Sequence, residues 1–76
     1  MIDLYVSETC PYCRKVMDFI EKESVRYNKK DISIPENYEM LINLGGKFQV
    51  PFLYDVDNEI SLYESDDIIK YLTTRC

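Results

Sequence analysis

The chain has 76 residues, a net charge of −5 and no histidine. That charge argues against nucleic-acid and anionic-membrane partners, because phosphate binding rests on clustered Lys and Arg. The missing imidazole excludes His-ligated metal sites and Ser-His or Cys-His catalysis.

The length predicts one domain, residues 1–76, burying only about 60% of the surface its unfolded chain exposes. That leaves room for a scaffold and one site. Met1-Ile2-Asp3 lacks a basic start, and no apolar run is long enough for a signal h-region or a membrane span. The expected setting is cytoplasmic, where paired cysteines are more often catalytic or metal-binding than structural.

Ile2 to Val6 is rich in β-formers and alternates, which predicts a strand. Ser7 to Cys10 is a loop, and Pro11 opens a helix at the one position where its missing N–H does no harm. Cys13, Val16, Met17 and Ile20 recur at the spacing of an amphipathic helix. Val25 to Ile32 is expected as a second strand, and its charges suit a sheet edge. Pro35 starts a second helix with Tyr38, Leu41 and Ile42 on one face, and Gly45-Gly46 ends it. Pro51 to Val56 and Glu59 to Tyr63 are strands joined by a two-residue turn at Asp57-Asn58. Ser65 to Thr74 is the last helix, with Ile68, Ile69 and Leu72 inward. Its first turn holds Asp66 and Asp67, and Lys70 and Arg75 lie toward its end, as the macrodipole favours. The order is βαβαββα. A parallel strand–helix–strand unit followed by a hairpin makes one α/β domain, with a four-stranded mixed sheet flanked by three helices.

Cys10-Pro11-Tyr12-Cys13 is the strongest chemical signal. A C-x-x-C beside a βαβ pattern predicts a thioredoxin-like redox site. Cys10 lies just before the first helical turn, where free N–H groups and the dipole favour negative charge, and Arg14 and Lys15 add positive charge nearby. Cys10 is therefore the expected nucleophile, since the thiolate is the reactive form, and Cys13, one turn on, the resolving thiol. Two other readings of the pair stand beside this one. Half a zinc site would need four ligands, and only Cys76 remains in the chain. The other is an inert structural disulfide. Cys76 itself is expected to be a free terminal thiol.

Two further motifs each carry a plain structural reading as well as a functional one. Val50-Pro51 suits the start of a strand. Glu64-Ser65-Asp66 suits a capped helix start, with Ser65 as the cap. Taken in order with C-P-Y-C, the three motifs resemble glutaredoxin, and the resemblance covers the whole chain. The stretch from Gly45 to Leu72, with Q-V-P-F-L and Y-E-S-D-D-I-I-K-Y-L, is also similar to the N-terminal domain of glutathione transferases.

The resemblance implies a thioredoxin-like fold and a cis Pro51 facing Cys10. It also implies that the Val50 backbone holds the cysteinyl part of glutathione, and that Ser65 and Asp66 hold its γ-glutamyl end with help from Glu64. Tyr12 would pack along the ligand. The family's lysine shortly before the reactive cysteine is replaced here by Ser7, with Glu8 beside it. Family contacts from the second helix would fall near Asn37 or Tyr38, which leaves Lys47 as the cation for the glycyl carboxylate. The implied activity is reduction of protein disulfides and glutathione-mixed disulfides by the Cys10/Cys13 dithiol, in electron transport and cell redox homeostasis. Glutathione would be the cosubstrate, with no tightly bound cofactor or metal, transient disulfide or glutathionylated protein partners, and a monomeric state. The alternatives are a glutathione-ligated [2Fe–2S] carrier and a redoxin reduced by thioredoxin reductase. A transferase ranks last, because its usual helical second domain is missing from this length.

Overall fold

β1 (Ile2–Val6) lies at the centre of the computed structural model, which describes residues 1–75; Cys76 lies outside the described residues. The other elements follow in the expected order: α1 (Pro11–Lys22), β2 (Asn28–Asp31), α2 (Pro35–Gly45), β3 (Phe52–Asp55), β4 (Ile60–Leu62) and α3 (Ser65–Arg75). The strands form one sheet in the order β2-β1-β3-β4. β1 pairs in parallel with β2, from Asp3 opposite Asn28 to Val6 opposite Asp31. It pairs antiparallel with β3, from Ile2 opposite Asp55 to Tyr5 opposite Phe52. β4 extends the sheet antiparallel to β3.

Strand alternation divides the core in two. Ile2, Leu4 and Val6 of β1 and Leu53 of β3 meet Cys13, Val16 and Ile20 of α1 and Ile68 and Leu72 of α3. On the other face Tyr5 and Phe52 meet Leu41 of α2. Both faces of β1 are thus covered, so its strand is apolar almost throughout.

Three boundaries differ from the sequence reading. β2 is shorter than Val25 to Ile32, because only Asn28–Asp31 find partners along β1. The β3–β4 connection is a four-residue turn, Val56 to Glu59, in which Glu59 is left-handed (φ 53°). It is held by Asp55, whose carboxylate accepts from the Asp57 and Asn58 N–H groups and the Asn58 amide. Ser65 is the first helical residue and not the cap. The Glu64 carbonyl accepts the first helical bond, from the Ile68 N–H at 2.9 Å, so Glu64 holds the cap position.

The end of α2 is as the sequence predicts. Gly46 takes the left-handed conformation (φ 85°) after α2 and donates its N–H to the Ile42 carbonyl. On α2, however, Leu41 is buried while Tyr38 is 43% exposed, its ring against Phe48. No helix among the described residues is long and apolar enough to cross a membrane.

Candidate functional site

Cys10 is the N-cap of α1. Pro11 behind it supplies no N–H and a preset φ, so the helix begins abruptly and turns its free N–H groups toward the cap. The Cys10 sulfur accepts from the Cys13 N–H at 3.4 Å, and its S–H lies 3.9 Å from the Val50 carbonyl. Cys10 is half-buried. Its sulfur therefore sits against the N-terminal end of the helix, between the Cys13 N–H and the Val50 carbonyl.

Cys13 is fully buried among the α1, α3 and β1 side chains. Burial pushes its thiol up to about 12, and the Cys10 sulfur beside it adds to the rise; the Ser7 N–H, which donates to the Cys13 sulfur at 3.5 Å, opposes it. The two cysteines of one motif thus occupy opposite environments. Neither is in a disulfide.

The Val50–Pro51 bond is cis, and both residues face a groove of about 450 Å³. That volume falls in the range of small-molecule sites. Tyr12, 63% exposed, forms one wall from α1. Glu64, Ser65 and Asp66 form another at the N-terminus of α3, where unpaired backbone N–H groups attract anions. Six sequence-predicted residues, Tyr12, Val50, Pro51, Glu64, Ser65 and Asp66, are thus brought together by the fold; Cys10 is not itself a lining residue and meets the groove through the Val50 carbonyl.

Lys47 is not among the groove's lining residues. Its ammonium lies 4.6 Å over the Tyr63 ring. Asn37 is occupied elsewhere, its amide donating to the Asp31 carbonyl. Of the two cations expected near Cys10, Lys15 is taken by Asp66 at 2.7 Å, in an exposed pair. Arg14 lines a separate depression with Glu8 and Glu21.

Sequence reading missed two lining residues, Gln49 and Tyr63. Gln49 donates its amide to the Glu64 carboxylate at 3.3 Å. The Tyr63 hydroxyl donates to the Lys47 carbonyl at 2.9 Å, and its ring packs on Phe52. Both flank quoted motifs, one before Val50-Pro51 and one before Glu64-Ser65-Asp66, and that adjacency was the available signal. Among the described residues no group of three or more Cys, Asp or Glu could hold a metal ion.

A family model described as "Glutathione S-transferase, N-terminal domain" matches residues 4–75. No curated protein matches the chain significantly. Among solved structures, a delta-class glutathione transferase of Nilaparvata lugens is 30% identical, with a TM-score of 0.80 over 97% of this chain and 35% of that one. This chain therefore spans about a third of the transferase's length. The thioredoxin-like protein BC3987 superposes with a TM-score of 0.81 at 21% identity, covering 97% of both chains. A glutaredoxin of Brucella melitensis superposes with a TM-score of 0.68 at 18% identity, over 96% of this chain and 78% of that one. The last two likenesses show a shared fold, which is thioredoxin-like, as the sequence predicts.

Proposed function

The chain belongs to the glutathione S-transferase N-terminal domain family, and from that premise we propose that it is a glutathione-dependent thiol–disulfide oxidoreductase of glutaredoxin type. The observation that carries the reading is the contrast within C-P-Y-C. Cys10 is half-buried at a helix N-terminus, while Cys13 is sealed in the core with its thiol raised to about 12.

In the proposed cycle the Cys10 thiolate attacks a glutathione-mixed disulfide. A Cys10–glutathione bond forms, the original S–S bond breaks, and the electron pair leaves on the substrate thiolate. A second glutathione thiolate then attacks the Cys10-bound glutathione, releasing oxidised glutathione and restoring Cys10. With a protein disulfide, Cys10 forms the mixed disulfide first. The substrate thiolate released in that step takes the Cys13 proton, and the Cys13 thiolate attacks the Cys10 sulfur, so that the Cys10–Cys13 bond forms, the Cys10–substrate bond breaks and the second substrate sulfur leaves as a thiolate. Two glutathiones reopen it. Glutaredoxins poise at roughly −200 to −230 mV, within reach of a glutathione pool.

The groove suits this ligand. The Val50 backbone, freed from the sheet by Pro51, can pair with the peptide-like cysteinyl unit. The start of α3 can take the γ-glutamyl carboxylate, and Asp66 the ammonium, once Lys15 yields. Glu64 and Ser65 complete that end, Tyr12 packs along the ligand, and Lys47 is the nearest cation for the glycyl end if it leaves the Tyr63 ring.

The test is glutathione-dependent reduction of a glutathionylated peptide. Wild type should turn over, Cys10→Ser should be inactive and Cys13→Ser should keep much of the rate. No turnover by wild type sinks the proposal. The transferase identity favours one second reading, conjugation of glutathione to an electrophile. That reading predicts conjugation of chlorodinitrobenzene by both wild type and Cys10→Ser.

A further inference from the structure

The groove just described opens toward β3 and α3, and a second, of about 350 Å³, opens on the β2 side of the Cys10 loop. Thr9, next to the reactive cysteine, is part of its wall. Ile32, Tyr38 and Phe48 make its surface largely apolar. The Tyr38 and Phe48 rings lie 5.3 Å apart and are 43% and 57% exposed. Two exposed aromatic rings in tilted contact, beside the Cys10 loop, form the kind of patch that marks an interaction site.

The charged side chains that line the groove are both acidic, with Lys29 at the rim acting on each of them. Glu8 and Asp31 line the groove, and no Lys or Arg does. Lys29 reaches Glu8 from outside the lining, in an exposed pair at 3.4 Å. Asp31 accepts from the Ser33 N–H at 2.9 Å, and that bond with the Ser33 hydroxyl holds its carboxyl below the usual range, so the charge persists. Such a surface repels a carboxylate and attracts an ammonium or guanidinium group. The net charge of −5 adds long-range attraction for a basic partner.

We propose that this groove is a second substrate subsite, which takes the peptide flank of a disulfide-bearing protein, with an apolar side chain against Tyr38 and Phe48 and a Lys or Arg facing Glu8 and Asp31. The proposal rests on the reading of Cys10 as the nucleophile. It makes protein thiols with basic, apolar flanks the preferred substrates over acidic ones.

The experiment uses two cysteine peptides that differ only in Leu-Lys against Leu-Glu beside the cysteine, each carrying a thionitrobenzoate mixed disulfide. The Cys10 thiolate attacks the peptide sulfur, the S–S bond breaks, and the pair leaves on coloured thionitrobenzoate, so no glutathione is needed. One exposed charge pair is worth about 1.5- to 5-fold. With two carboxylates the basic peptide should react roughly two- to tenfold faster at low salt, and the ratio should collapse toward one near 1 M salt, where screening acts within about 3 Å. The Glu8→Gln/Asp31→Asn double variant should lose the discrimination, and Phe48→Ala should slow the basic peptide. Equal rates in wild type, or discrimination that survives in the double variant, would overturn the proposal. A double variant that changes the KM for glutathione and leaves the peptide ratio alone would assign the groove to the small thiol and overturn it as well. A small neutral aromatic disulfide titrates Cys10 in parallel. If neither it nor the peptides react faster with wild type than with Cys10→Ser, the nucleophile reading itself fails and takes this one with it.

Discussion

Replacing Gly45 by alanine is expected to cost about 1–2 kcal/mol, although alanine is the better helix former. A Cβ at Gly45 would stand 1.8 Å from the Tyr63 hydroxyl oxygen and 2.5 Å from the ring carbon that bears it. The ring must retreat from its contacts, which include a long bond from the Lys47 N–H to its hydroxyl at 3.4 Å and three stronger ones. Its hydroxyl donates to the Lys47 carbonyl at 2.9 Å, a bond worth about 1 kcal/mol net. Its face meets Phe52 at 4.7 Å between centroids, worth about 0.5–1.5 kcal/mol. The Lys47 ammonium lies 4.6 Å over the ring, worth about 0.5–1 kcal/mol at an exposed site. Losing much of this, against a propensity gain of at most about 1 kcal/mol, leaves the stated cost, or a melting temperature lower by roughly 5–15 °C for a domain of this size. Urea unfolding followed by circular dichroism measures it in two backgrounds. Tyr63→Leu keeps an apolar side chain against Phe52 and removes the atoms that clash. In that background Gly45→Ala should be neutral or stabilising. The same loss in both backgrounds, or no loss in the native one, would refute the steric argument, because contacting residues must couple.

Other expectations concern charge and protonation. Burial raises Cys13 from its ordinary value near 9.0 to about 12, so the folded state keeps a proton that the unfolded chain releases. That contribution is full below about pH 9 and is lost as pH rises toward 12; pH-dependent urea midpoints should flatten over this window in Cys13→Ala. Asp55→Ala should destabilise by about 2–4 kcal/mol, since hydrogen bonds to buried charge are costly to lose. Asp55 is fully buried, accepts from the Tyr71 hydroxyl at 2.5 Å and holds the β3–β4 turn. The Lys15–Asp66 pair is exposed on both sides, so Asp66→Asn should change stability by less than about 1 kcal/mol. The same variant should raise the KM for glutathione severalfold, and an unchanged KM would remove Asp66 from the ligand site.

Local signals in the chain accounted for much of the scaffold. Pro11 after Cys10 and Gly46 after α2 mark helix ends because their backbone restrictions act without any partner. The spacing of Cys13, Val16 and Ile20 marked the buried face of α1, since periodicity is carried by the sequence itself. Cysteine identity and position were likewise enough to single out Cys10 and Cys13 as the candidate pair.

What depended on partners was not legible. The extent of β2 was set by pairing along β1, not by its own charged residues. Tyr38 shares a helical face with Leu41, yet Leu41 is buried against Tyr5 and Phe52 while Tyr38 is left in solvent against Phe48. Gln49 and Tyr63 joined the groove only because the sheet order brings the turn before β3 and the start of α3 to the Cys10 loop. The opposite environments of Cys10 and Cys13 also came from three dimensions. A sequence motif places two sulfurs one helical turn apart, but desolvation depends on what packs over each, and here the core closes fully over Cys13 and only partly over Cys10. Residue types and spacing thus determined the elements and the chemistry at hand. Only the tertiary structure decided which sulfur meets solvent and which charges line each groove, because burial and electrostatic surroundings come from segments far apart along the chain.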